Sequence, residues 1–131
     1  MKNLCLALCA LILISTAPVR AAAAAPAPGQ LTHVVAFKFK KAVTEKQKKQ
    51  VADAFAALPA AIPQIISLNH GTNVSKEGFN LGFTHAFVVT FANEKDRDIY
   101  LEHEAHKKFG KLLDSLLTDK GVFVFDFVSG K

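Results

Sequence analysis

Apolar and polar positions along the chain follow two periods, one of two residues and one of about three and a half, and the switches between them mark out the elements. Leu31 to Lys40 alternates, with Leu31, His33, Val35, Phe37 and Phe39 on one face and Thr32, Val34 and Ala36 on the other, which predicts a strand. Thr44 then stands three residues before Gln47, a capping-box spacing, and Val51, Phe55, Leu58 and Ile62 follow at helical intervals. That helix is expected to run to Pro59 or slightly beyond, with Pro63 marking the turn out. Ile65 to His70 reads as a short second strand, and Gly71 to Gly82 as a turn-rich loop. Phe83 to Ala92 alternates most cleanly, with Phe83, His85, Phe87, Val89 and Phe91 on its large side. Asn93 suits an N-cap, and Glu94, Asp96 and Asp98 suit the positive end of a helix carrying Ile99, Tyr100 and Leu101. A further helix from about Ala105 spaces Phe109, Leu112, Leu113, Leu116 and Leu117 on one stripe and is expected to stop at Lys120-Gly121. Val122 to Val128 closes the chain as a strand apolar on both faces.

The order β-α-β-β-α-α-β predicts an α+β fold of the ferredoxin-like, split βαβ kind: a four-stranded antiparallel sheet with helices on one face. The other face carries phenylalanines and valines that gain about 25 cal/mol for each Å² removed from water. Sheet-to-sheet homodimerisation into a barrel would cover them.

The first residues stand apart from this pattern. Met1-Lys2-Asn3 is a short basic start, Leu4 to Ile14 is a continuous apolar run, and Pro18 and the tract Ala21 to Ala25 follow. This is the order of a secretory signal peptide over 1–23, too short in its apolar run for the roughly 20 residues of a membrane span. Residues 24–30 are then expected to be a loose Ala/Pro-rich tether, and 31–131 a single domain. The protein is expected to be exported, to the periplasm or the medium, with no membrane attachment after leader removal. Cys5 and Cys9 leave with the leader, so neither a disulfide nor thiolate chemistry is available to the domain. The formal charge of +5 falls to +3 when Lys2 and Arg20 are removed. Phe37 and Phe39 alternate with Lys38 and Lys40, which puts aromatics and charges on opposite faces, and nucleic acid is not expected as a partner.

Candidate chemistry gathers between Asp98 and Phe109, where Tyr100, His103 and His106 lie close together. His106 begins the apolar stripe of its helix and should point toward the sheet, where a neutral imidazole can take up a proton. The alternative is a buried histidine satisfied by a carbonyl or hydroxyl and serving packing alone. Tyr100 and His106 lie about 240° apart on a continuous helix, so their cooperation requires a break near His103 to Ala105. His103-Glu104-Ala105-His106 is one residue short of the zinc-protease spacing. His33 and His85 each interrupt a large apolar face and would sit side by side if their strands are neighbours. His70 is expected to be exposed, and Asp126 either to pair with a histidine or lysine or to occupy a plain edge position.

The segments His33 to Lys40, Gly71 to Ser75, Thr84 to Phe91, Tyr100 to Phe109 and the late Asp126 resemble the stress-responsive alpha/beta barrel (Dabb) family of the dimeric α+β barrel superfamily, and they span essentially the whole domain. The resemblance implies the dimeric barrel. Through the plant polyketide cyclases of that family it also implies His106 as general base and Tyr100 as its hydroxyl partner. His33 and His85 would line the pocket, with Val35, Phe37, Val51, Phe55, Phe87 and Val89 as further lining. No cofactor is expected, although some members hold magnesium through backbone carbonyls after the first helix, here around Pro59, Ile62 and Ile65. One departure stands out: the family's proline after the first histidine of this stretch is replaced by Glu104.

Three functions follow as expectations. The first is an exported homodimer that binds a small apolar or aromatic molecule between sheet and helices, with cyclase-like His/Tyr proton transfer. The second is a non-catalytic structural or stress-protective dimer, and the third a barrel-superfamily monooxygenase.

Overall fold

A computed structural model describes residues 25–130; the leader expected over 1–23, Ala24 and Lys131 lie outside the described residues. The elements are β1 (Leu31–Phe39), α1 (Glu45–Ala56), α2 (Leu58–Ala61), β2 (Ser67–Thr72), β3 (His85–Phe91), α3 (Glu94–Glu102), α4 (Glu104–Leu113) and β4 (Leu117–Val128). They build one antiparallel sheet in the order β2-β3-β1-β4, the ferredoxin-like α+β fold expected. No helix among the described residues is long and apolar enough to cross a membrane.

Local chemistry sets the element ends. Thr44 and Gln47 form the full capping box of α1, each side chain taking up the other's backbone N–H. α1 stops at Ala56, and Pro59 sits in the first turn of the short α2, where its missing N–H costs nothing. The two helices present Val51, Phe55 and Leu58 to the core and the residue that ends α2, Ile62, joins them there, all four buried. Phe55 stacks on Phe87 of β3 with ring centres 4.1 Å apart, and Phe37 and Phe109 complete the aromatic centre of the domain.

Besides β3, which spans His85–Phe91 rather than Phe83 to Ala92, three boundaries differ from the sequence reading. β2 begins at Ser67 rather than Ile65, because Ile65 turns into the core and the pairing with β3 continues through Gly71 to Thr72 opposite His85. Residues 27–30 are not a loose tether: Gly29 N–H donates to Ser129 O at 2.8 Å and Ser129 N–H to Gln30 O at 2.9 Å, which ties the entry of the domain to its exit.

The third difference shapes the functional face. α4 ends at Leu113, and Leu116 and Leu117, expected on its stripe, are taken by the sheet: Lys40 N–H donates to Leu116 O at 2.9 Å and Phe39 pairs with Leu117. Phe37 pairs with Val122, so Thr118 to Gly121 bulge out of β4 opposite Lys38. Lys120 takes φ 53° in this bulge, and a Cβ on Gly121 would lie 2.7 Å from the carbonyl oxygens of Lys38 and Thr118. Lys120-Gly121 therefore belongs to a strand bulge and not to a helix end.

The period of two divides β4 between two surfaces. Val122, Val124 and Asp126 face the helix side, as do their partners Phe37, Val35 and His33, while Phe123, Phe125 and Phe127 stand 46, 56 and 44 % exposed on the open face.

Candidate active site

The break that the site requires is present. α3 ends at Glu102 and α4 starts at Glu104, with His103 between them in extended conformation at φ −66°, ψ 137°. His103 replaces the absent proline by capping: its Nδ1 accepts the Ala105 N–H at 3.1 Å. Glu104 in the first turn of α4 suits the positive end of that helix.

Turning the chain at His103 brings the Tyr100 and His106 rings to 4.3 Å between centres. His106 Nδ1 lies 3.1 Å from the Leu101 carbonyl, which only accepts, so in the neutral ring Nδ1 carries the proton and Nε2 the lone pair. Burial holds this imidazole below its ordinary 6.5; the Leu101 carbonyl acts the other way, and His33 adds to the lowering. Tyr100 is buried, and burial followed by the charge of Asp126 pushes its hydroxyl well above the ordinary 10.0, so it stays protonated and serves as a donor. The pair is a bare imidazole nitrogen beside a phenol that keeps its proton.

His33 approaches Tyr100 from β1, edge-on at 5.7 Å between ring centres. Its Nδ1 lies 2.6 Å from Asp126 Oδ1, and the other carboxylate oxygen of Asp126 is paired with Arg97 of α3. Asp126 therefore pairs with a histidine across the β1–β4 ladder, where His33 and Asp126 are direct partners, and with an arginine of α3.

These groups border a cleft of about 580 Å³ between the sheet and α3–α4, above the roughly 300 Å³ that a small-molecule site needs. His33, Tyr100, His106 and Asp126 form its polar end; Val35, Phe37, Phe55, Phe109 and Leu113 form its apolar body; the β4 bulge forms its rim.

Four of the expected pocket residues thus line the cleft: His33, Val35, Phe37 and Phe55. Val51, Phe87 and Val89 do not, because they are sealed into the core behind Phe55 at 0, 1 and 0 % exposure. His85 is also elsewhere. β1 and β3 are neighbours but antiparallel, so His33 stands opposite Val89 and His85 opposite Phe37, at the other end of the sheet. There His85 packs on Phe39 and borders a separate groove with His70, which is exposed as expected. Burial and then Lys48 lower the His85 imidazole below 6.5. The bulge residues and Gly110 were not foreseen as lining, since Thr118 to Gly121 read as a helix end.

His103 and His106 each commit one ring nitrogen to the local backbone, and the described residues contain no group of three or more His, Cys, Asp or Glu able to hold a metal. At Pro59, Ile62 and Ile65 a cation would have carbonyls alone, and that of Ile62 already accepts the Ile65 N–H at 3.2 Å.

Residues 31–129 match the stress-responsive A/B barrel domain. The chain belongs to the stress-responsive A/B barrel family. Among its relatives, olivetolic acid cyclase of Cannabis sativa is 29 % identical over 99 residues, 76 % of this chain and 96 % of the relative. The stress-response A/B barrel domain-containing protein HS1 of Arabidopsis thaliana is 31 % identical over 101 residues, 77 % of this chain and 91 % of the relative. A solved dimeric ferredoxin-like protein of unknown function from Bacteroides fragilis superposes with a TM-score of 0.62 at 27 % identity, covering 76 % of this chain and 96 % of that one. The ferredoxin-like description of that neighbour fits the four-stranded antiparallel sheet.

Proposed function

We propose that this A/B barrel protein binds a small apolar or aromatic carbonyl compound in the cleft and transfers a proton on it without a cofactor. His106 Nε2 removes a proton from the carbon next to the carbonyl, and the Tyr100 hydroxyl donates a hydrogen bond to the oxygen as negative charge develops there. The observation that carries this reading is the Tyr100–His106 contact at the polar end of an apolar cleft, with the His106 tautomer set by Leu101. Similarity to a cyclase supports the reaction class. The protein acts as an exported homodimer, its exposed Phe123, Phe125 and Phe127 covered by a second copy; a solved neighbour described as dimeric supports the dimer. Phe125→Asp is expected to yield a monomer in analytical ultracentrifugation.

The test uses acetophenone as probe, with exchange of its methyl protons into D₂O followed by ¹H NMR. Wild-type protein is expected to accelerate exchange, and His106→Ala to lose about 10²-fold or more of that acceleration while remaining folded, the usual scale of general-base catalysis. Equal rates in wild type and His106→Ala would remove His106 from the chemistry. A non-catalytic dimer is favoured if neither protein exceeds the buffer rate and line broadening shows no binding of the probe.

A further inference from the structure

Arg97 lies outside the cleft. It borders a separate notch with Leu31, Glu94, Phe127 and Val128, and Asp126 is the wall that the notch and the cleft share. On α3, Arg97 comes one turn before Tyr100 and so shares its sheet-facing side: Tyr100 meets the His33 ring on β1, and Arg97 meets the Asp126 carboxylate on β4. The guanidinium is engaged twice, Nε donating to Asp98 Oδ1 at 2.8 Å and Nη1 to Asp126 Oδ2, and its side chain is 20 % exposed. The other oxygen of Asp126 holds His33 Nδ1 at 2.6 Å, and the His33 side chain is 4 % exposed.

From this chain of contacts we infer that Arg97 is a positioning residue: it clamps Asp126 so that the carboxylate fixes His33 with its proton on Nδ1 and its lone pair on Nε2 at the cleft wall. The physical reason lies in the carboxylate's freedom. Asp126 sits on an edge strand and is 23 % exposed, so unclamped it can rotate toward water and release the imidazole. A cationic donor that holds one carboxylate oxygen leaves the other aimed in a set direction, and here a single guanidinium nitrogen supplies that hold. His33 then presents an acceptor to the ligand at the end of the cleft occupied by Tyr100 and His106, and a donor to Asp126. A ligand hydroxyl or an enol proton is the group such an acceptor recognises, and this gives the proposed carbonyl compound a second polar point of attachment. The contribution to turnover rests on the function proposed above; the tautomer of His33 does not.

The test reads the two separately. Long-range ¹H–¹⁵N correlation spectra of the ¹⁵N-labelled protein, with His33 assigned from its missing signals in His33→Gln, report which ring nitrogen carries the proton. Wild type is expected to show the Nδ1–H form; Arg97→Gln and Arg97→Met to lose it in favour of a mixture, with circular dichroism unchanged; and Arg97→Lys, which keeps a cation beside Asp126, to restore it. Methyl-proton exchange of 3-hydroxyacetophenone, whose hydroxyl supplies the donor that His33 accepts, should fall about 10-fold in Arg97→Gln and recover in Arg97→Lys, the scale on which outer partners of a functional histidine act. A His33 signature unchanged in folded Arg97→Gln and Arg97→Met overturns the inference. Loss of the fold in both variants overturns it as well, because Arg97 would then be a structural tie between α3 and β4. If wild type fails to exchange either ketone but the signature changes as expected, the positioning role stands and the proposed reaction falls.

Discussion

Replacing His103 by alanine removes the cap of the α3–α4 break. The Ala105 N–H loses the acceptor now 3.1 Å away, and residue 103 loses its reason to stay extended at ψ 137°. Loss of a side-chain N-cap costs about 0.5–2 kcal/mol, typically near 1. Lys107–Glu102 also spans the break, but this pair is exposed and contributes little. In a domain of this size about 1 kcal/mol corresponds to a Tm lower by about 4–8 °C. Glu104→Pro tests the same reasoning from the other side. A proline at the first helical position loses no helix hydrogen bond, and the observed φ −66°, ψ 137° of His103 is the conformation a residue before proline prefers. Stiffening the unfolded chain adds about 0.4–1 kcal/mol and losing the Glu104 charge at the helix start removes about 0.3–1, so the single variant should lie within about 0.7 kcal/mol of wild type. The double variant His103→Ala/Glu104→Pro should recover the Tyr100–His106 contact, read as ring-to-ring nuclear Overhauser effects, that His103→Ala weakens. An unchanged Tm and unchanged ring contacts in His103→Ala would refute the cap as the cause of the break, and so would unfolding of Glu104→Pro.

Three further outcomes follow from the geometry. His106 and His85 both titrate below 6.5 in the folded protein, so as the pH falls through that value the unfolded chain takes up protons first. Stability should be full above the unfolded value and decline below it, and His106→Gln should flatten the decline in urea titrations between pH 7 and 5. Phe55→Ala should cost about 3–5 kcal/mol in urea unfolding, because the ring is 1 % exposed and stacked on Phe87, whereas Phe79→Ser, at 83 % exposure, should stay within about 0.5. Gly121→Ala should cost more than about 1 kcal/mol by the same assay, since its Cβ would meet two carbonyl oxygens at 2.7 Å.

The fold was legible because each strand and helix carries its own period, and because caps such as Thr44 with Gln47 and Asn93 are local. The misread segment, Leu116 to Gly121, shows the limit. Leu116 and Leu117 continue a helical stripe in sequence, but the sheet offers them Lys40 and Phe39 as partners, and tertiary pairing overrides the local pattern. The Tyr100–His106 pair could be stated only as a geometrical condition, since a histidine serving as an N-cap is a weak signal beside a proline. Asp126 stood out as the polar residue in an apolar strand. Arg97 did not, because nothing in one sequence says that a surface arginine of α3 faces β4. The misplacement of His85 beside His33 came from pairing two strands without their direction: the antiparallel ladder carries equivalent positions to opposite ends of the sheet.

The alternation along β4 also bears on how the protein can diverge. Val122, Val124 and Asp126 belong to the cleft, and Phe123, Phe125 and Phe127 to the open face, with no residue in common. Val122 and Val124 can therefore be exchanged to reshape the cleft while the phenylalanines keep the open face, and the reverse holds equally, with Asp126 held in place by His33 and Arg97. A single-residue insertion between Val122 and Val128 would interchange the two sets, placing phenylalanines in the cleft and an aspartate on the open face, so this part of the strand should accept substitution at its valines and phenylalanines far more readily than a change of length.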